Sequence, residues 1–239
     1  MIRTYGGVGG EEPRGSPLSR LGDKEGLTLH PREALVVFDL DGTLLRGPTV
    51  CEVLAQSLGR LERMRHLERF ADKQELRAAR EEMAGWYLSV GLAALPDSLH
   101  GARLAPGAEK GLALLMSHGV EVAIASITWS FAVEYFARRL GVKHWHGTEL
   151  KETGEIRHIW PEDKARWVRE LAERLRLPFA RTAAVGDSAG DLEMLAAVGL
   201  PVFVGRELPS AQQGWLHFPQ ADIEVVARHL VGVWRLSPR

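Results

Sequence analysis

The chain has 239 residues, with 30 Lys and Arg against 31 Asp and Glu and a formal net charge of −1. That length buries a sizeable core and fits one domain with an insertion or two small ones, and the near-neutral charge offers no global field for nucleic acid or a membrane surface. The single cysteine, Cys51, excludes an internal disulfide framework and fits a reducing cytoplasm, and no apolar run reaches the roughly 18 residues of a membrane span or resembles a signal peptide.

Residues 1–30 are rich in glycine and proline without apolar periodicity and read as a flexible lead-in. A phosphate-cradling glycine loop would need a Gly-Lys-Ser/Thr and a preceding strand, and neither is present. The apolar run 34–38 then reads as a buried parallel strand that stops in Asp39-Leu40-Asp41-Gly42-Thr43. Taken alone, this is either a solvated Asp-Gly turn or a working pair of carboxylates at the mouth of a dry core. In the second reading one is a nucleophile and the other a proton donor, with a hard metal ion damping their repulsion.

From 46 to 104 the texture turns helical: Val50, Val53, Leu54, Leu58 and Leu61 recur at helical spacing, as do Leu76, Met83, Tyr87 and Leu88. Cys51 lies in this pattern and reads as packing. Pro106-Gly107 restarts the core, and the run 120–125 predicts a second strand ending in Ser126. A helix follows over 129–140, then a hairpin of 143–150 with 155–159 around Glu152-Thr153-Gly154. His144, His146 and His158 could share one face of that hairpin, but they lack companion carboxylates and read as incidental. Helix 161–175 carries Lys164 near its start, and strand 181–185 ends in Gly186-Asp187-Ser188-Ala189-Gly190-Asp191. Helix 189–198, strand 201–204 and a last helix over 222–235 complete an alternating α/β pattern. The tryptophans read mostly as packing residues; Trp129 alone falls near the proposed site.

Three buried-strand patterns thus end in residues suited to phosphate or metal work, and open parallel sheets bind ligands beyond the carboxyl ends of their strands. On DLDGT at 39–43, Ser126, Lys164 and GDSAGD at 186–191, the chain resembles the haloacid dehalogenase-like hydrolase superfamily, and in spacing its phosphoserine-phosphatase-like branch, over residues 34–232. The resemblance implies a Rossmann-like parallel α/β core over 31–45 and 105–239, with a helical cap, 46–104, inserted between the first and second strands. It implies a Mg²⁺-dependent phosphomonoester hydrolase acting on a small phosphorylated metabolite through an aspartyl phosphate.

In that reading Asp39 is the nucleophile and Asp41 the general acid and base. Lys164, the Ser126 hydroxyl and the Ile127 amide hold the phosphate. Mg²⁺ takes Asp39, the Asp41 backbone carbonyl and Asp187, with Asp191 orienting a water of the metal's shell or holding Lys164. The same residues would serve a phosphotransferase. A catalytically silent or receiver-like phosphate-binding module is the alternative from another class, although receivers are shorter and lack the helical insertion. The expected partner is a small phosphate ester, with no nucleic acid or membrane, and the chain is expected to be cytoplasmic and a monomer or homodimer.

Two departures bear on the substrate. The resembled branch has two glycines after the serine where this chain has Ile127 and Thr128, and an acidic residue that reads the substrate amine where this chain has Pro48. Free phosphoserine is therefore expected to be poor, with Arg77 or Arg80 gripping a second anionic group and Trp129 narrowing the pocket.

Overall fold

The computed structural model describes residues 32–70 and 72–238, and Pro31–Arg239 forms one compact unit. The lead-in expected at 1–30 lies outside the described residues. A seven-stranded sheet has the order β4-β3-β2-β1-β5-β6-β7. Its central strands are β1 (Ala34–Phe38), β2 (Val120–Trp129) and β5 (Thr182–Gly186), all parallel. β3 (His144–Leu150) runs parallel to β2, and β4 (Ile156–Arg157) folds back on it antiparallel as the predicted hairpin. β6 (Leu200–Phe203) pairs parallel with β5. β7 (Leu216–His217) adds an edge that two residues are too short to announce in the sequence.

The continuous apolar runs follow from burial on both faces of the sheet. Ala34, Val36 and Phe38 of β1 enter one core cluster, while Leu35 and Val37 enter the other. The first cluster packs beneath α5 (Ala108–Ser117), α6 (Ser130–Arg139) and α9 (Ile223–Trp234). The second packs beneath α7 (Pro161–Arg174) and α8 (Leu192–Leu195). The helix expected over 189–198 is shorter than its apolar spacing suggested, a 3₁₀ turn at Ala189–Asp191 followed by the single turn of α8.

Between β1 and β2 stands the helical cap, with α1 (Val50–Ser57), α2 (Leu61–Leu67), α3 (Lys73–Val90) and the short α4 (Leu95–Ser98). Asp72 caps α3 by accepting from the amides of Gln74 and Glu75 at 2.8 and 2.9 Å. Val53, Leu54, Leu67, Met83 and Tyr87 join the same apolar cluster as Phe38, so the cap's interior is continuous with that of the sheet. No helix among the described residues is long and apolar enough to cross a membrane.

One expected strand end moved. β2 does not stop at Ser126 but runs on to Trp129, with a register break: Ala125 pairs with His146 and Trp129 with Thr148. Ser126, Ile127 and Thr128 therefore bulge out opposite Gly147 alone, and a bulge of this kind re-aims side chains.

Candidate active site

The chain leaves β1 at the point where the strand order reverses, with β2 on one side and β5 on the other. The carboxyl ends of these three strands bring together Asp39, Ser126 and Asp187, the crevice position expected of an open parallel sheet. Lys164, in the first turns of α7, reaches the same place. Its Nζ donates to Asp39 Oδ1 at 2.7 Å and to Asp191 Oδ1 at 2.5 Å, with only 1% of the residue exposed. Burial alone would push this ammonium down, but the Asp191 and Asp39 carboxylates outweigh it and hold the pKa above its usual value.

Asp191 is fully committed. Its second oxygen, Oδ2, accepts from the amides of Asp187 and Ser188 at 3.0 and 3.1 Å and from Ser188 Oγ at 3.0 Å. It therefore fixes the loop after β5 and anchors Lys164. Asp187 stands beside it, accepting from Thr43 Oγ1 at 3.1 Å. Oxygens of Asp39, Asp187 and Asp191 lie within 4.8 Å of one another. Burial, reinforced by Asp191, raises the pKa of both Asp39 and Asp187. Three clustered carboxylates with one ammonium among them are short of positive charge, and an all-oxygen donor set fits a hard divalent cation such as Mg²⁺. With four hydrogen bonds on its two oxygens, Asp191 is the most committed of the three, and Asp39 and Asp187 are better placed to hold it.

Gly42 makes this packing possible. Its φ is +79°, and a Cβ there would lie 2.2 Å from Asp187 Oδ2, so only glycine lets the β1 loop close against the β5 loop. Arg46 braces the same turn by donating to the Gly42 carbonyl.

The Asp41 carboxylate is not part of the trio. Its Oδ1 accepts from the amide of Val50, the first residue of α1, at 2.8 Å. That amide is one of the helix's N-terminal donors, while Thr49 and Glu52 satisfy two more, each accepting from the other's amide in a capping box. Burial pushes the Asp41 carboxyl up to about 7, against the pull of the Val50 hydrogen bond. A carboxyl that keeps its proton near neutrality, two residues from a candidate nucleophile, is suited to general acid work.

Sheet loops and cap enclose a cavity of about 350 Å³, and Asp39, Asp41, Ser126, Ile127, Trp129, Lys164 and Asp191 all face it. Ser126 is buried, and its Oγ accepts from the Thr128 amide at 3.3 Å. Trp129 is buried edge-on to Tyr87 with ring centroids 5.5 Å apart. The two cap arginines part company. Arg77 does not line the cavity and sits over the Trp160 ring, 5.4 Å from its centroid. Arg80 lines the cavity, but its fork is engaged: Nη2 donates to the carbonyls of Ile127 and Ile159 at 3.0 and 3.1 Å, and Nη1 meets His158 Nδ1 at 3.2 Å. Burial lowers its pKa to about 10.

Pro48 is exposed and does not line the cavity. Glu68, the residue just past α2, lines it while staying exposed to solvent, held by Thr49 Oγ1 at 2.5 Å. Partial burial raises its pKa, and its charge is felt at Asp41. Sequence reasoning missed Glu68 because a Glu on an Arg- and Glu-rich helix carries no mark of facing inward; the Thr49–Glu52 capping pattern was the nearest signal. The three histidines do not converge. His144 pairs with Glu121 at 3.1 Å, His146 stacks on Trp167, and His158 stacks on Trp160.

Comparison with known proteins bears on this arrangement. The chain is 30% identical over 177 residues to phosphoserine phosphatase SerB2 of Mycobacterium tuberculosis, covering 70% of this chain and 43% of that protein. It is 31% identical over 186 residues to the phosphoserine phosphatase of Streptomyces coelicolor, covering 73% and 45%. The chain thus spans less than half the length of these curated relatives. Among solved structures, a substrate-bound phosphoserine phosphatase complex superposes with a TM-score of 0.70 at 19% identity, covering 84% of this chain and 99% of that one, a likeness of fold. Residues 36–196, which contain Asp39, Ser126, Lys164 and Asp187 together, match the model of haloacid dehalogenase-like hydrolases, and the chain belongs to that family.

Proposed function

We propose that the protein is a Mg²⁺-dependent phosphomonoester hydrolase that works through an aspartyl phosphate on Asp39. The observation that carries this reading is the buried Asp39–Lys164–Asp191 bridge, with a second carboxyl, Asp41, kept as an acid two residues away. Lys164 fixes Oδ1 of Asp39, which leaves the other carboxylate oxygen to attack phosphorus in line. Lys164 and the Ser126 hydroxyl offset charge on the phosphoryl oxygens. Asp41 gives its proton to the departing alkoxide and then takes one from the water that hydrolyses the acyl phosphate. Asp39, Asp187 and the Asp41 backbone carbonyl would hold Mg²⁺, which when bound supplies further charge neutralisation at the phosphoryl group.

The cavity also bears on the substrate. The partners of Arg80 among the described residues are two carbonyls, an imidazole and the Trp160 ring, none of them an anion. A buried guanidinium and the Glu68 carboxylate thus both face a space sized for a small ester. They favour a leaving group that carries an acid and an amine, as in the phosphoserine named for the relatives. The expectation that phosphoserine is poor rested on Pro48 and on Ile127 and Thr128 in place of two glycines; Glu68 offers the carboxylate that position 48 lacks, while Ile127 still lines the cavity.

Phosphate release from p-nitrophenyl phosphate with and without Mg²⁺ tests the chemistry; no Mg²⁺-dependent release would end the hydrolase reading. A panel of phosphoserine, phosphoethanolamine, phosphoglycolate and sugar phosphates tests the substrate. Phosphoserine should give the highest kcat/KM, and a tenfold advantage for phosphoglycolate would remove Glu68 from the account.

A further inference from the structure

The bulge in β2 raises the question of what holds it in shape, because three residues standing out of a strand lose their ladder partners. The answer lies in one peptide unit, Ile127–Thr128. Its carbonyl, on Ile127, accepts from Thr148 Oγ1 at 2.8 Å and from Arg80 Nη2 at 3.0 Å. Its N–H, on Thr128, donates to Ser126 Oγ at 3.3 Å. The unit is therefore gripped at one end by β3 and the cap, and at the other end it grips the serine.

Thr148 is fully buried, and its hydroxyl oxygen accepts from the Ile159 amide at 3.2 Å, so its own proton is directed to Ile127. Gly147 lets β3 approach closely enough for this: a Cβ there would lie 3.0 Å from the Thr128 carbonyl oxygen and 2.9 Å from a Val133 methyl. A hydroxyl has one proton and two acceptor sites. Because Ser126 Oγ accepts from Thr128, its proton remains free for a ligand in the cavity. Hydrogen bonds in such a series also polarise one another, so donors on the Ile127 carbonyl sharpen the Thr128 N–H.

We propose that Thr148, seconded by Arg80, is a positioning residue for Ser126: by clamping the Ile127–Thr128 peptide it sets the serine hydroxyl to donate to a phosphoryl oxygen. Thr148 does not line the cavity and acts only through that peptide. The inference rests on the hydrolase reading, and its test separates the two.

The experiment is a double-mutant cycle on p-nitrophenyl phosphate at saturating Mg²⁺, comparing wild type, Thr148→Val, Ser126→Ala and the double variant, with Thr148→Ser as the rescue. Thr148→Val should lower kcat/KM about fivefold to tenfold and weaken inhibition by inorganic phosphate by a similar factor, while the Mg²⁺ half-saturation point stays put. Thr148→Ser should restore activity to within about twofold, because it keeps the hydroxyl. In the Ser126→Ala background Thr148→Val should cost less than about twofold, since its effect passes through the serine.

Equal losses in both backgrounds, or wild-type kinetics for Thr148→Val, would overturn the proposal while leaving the hydrolase reading intact. A wild type without Mg²⁺-dependent turnover would instead remove the reading beneath it. Should Thr148→Val fold poorly, Arg80→Lys runs through the same cycle, because p-nitrophenyl phosphate has no carboxylate for Arg80 to read. It should show the same dependence on Ser126, and additivity there refutes the clamp equally.

Discussion

Replacing Lys164 with Met tests whether the ammonium holds the site together or merely lies within it. The side chain is 1% exposed and is the shared partner of Asp39 and Asp191. Methionine fills the volume but withdraws the charge, leaving two buried carboxylates facing each other with Asp187 nearby. Removing one partner of a buried ion pair costs about 3–5 kcal/mol, because the remaining charge is left uncompensated. For a compact unit of this size each kcal/mol shifts Tm by about 2–4 °C, so metal-free Lys164→Met should melt about 6–20 °C below wild type. The assay is thermal unfolding in EDTA followed by circular dichroism. Lys164→Met/Asp39→Asn removes one of the stranded charges and should recover at least about half of the loss. A single variant melting within about 2 °C of wild type, or a double variant no better than the single, would refute the view that charge deficit dominates this cluster.

Asp39→Asn should cut turnover by at least roughly three orders of magnitude, since an amide is a poor nucleophile toward phosphorus, and phosphate release under single-turnover conditions would show it. The same variant should melt no lower than wild type in EDTA, because it lifts one charge from a crowded, buried set. Asp187→Ala should raise the Mg²⁺ concentration at half-maximal activity, and a titration that does not move would place the ion elsewhere. Gly42→Ala should both destabilise the fold by about 1 kcal/mol or more and raise the Mg²⁺ concentration at half-maximal activity, as its Cβ would displace the Asp187 carboxylate; denaturant melts and the same titration read the two effects.

The residues at the ends of strands were legible in the sequence for a physical reason. A strand buried on both faces must be apolar throughout, so a charged residue such as Asp39 or Asp187 ends it visibly. Lys164 was legible only through the company of the other motifs, because a Lys early in a charged helix ordinarily faces solvent. The bulge was not legible: Ile127, Thr128 and Trp129 all favour strands, so nothing marked Ser126 as the place where pairing breaks. Glu68 and Thr148 were hidden more deeply. Each owes its place to a contact made across a long stretch of chain, Thr49 with Glu68 and Ile127 with Thr148, and no local pattern encodes either. Arg77 and Arg80 are three residues apart on one helix, yet only Arg80 turns into the cavity.

The cap begins one hydrogen bond from the chemistry, where the first amide of α1 donates to the proposed acid and the residue before it holds Glu68. This has a consequence for how such a protein could diverge or be re-engineered. An inserted module is ordinarily free to be exchanged, since its loss leaves the host sheet intact. Here the first turn of the insert restrains the proton affinity of a group in the host that burial drives up. A graft bringing a new leaving-group preference would inherit the reaction only if it again began with a helix, in register, with its leading amide turned toward Asp41. Variation should therefore concentrate in α2 and α3, with the entry to α1 held nearly fixed.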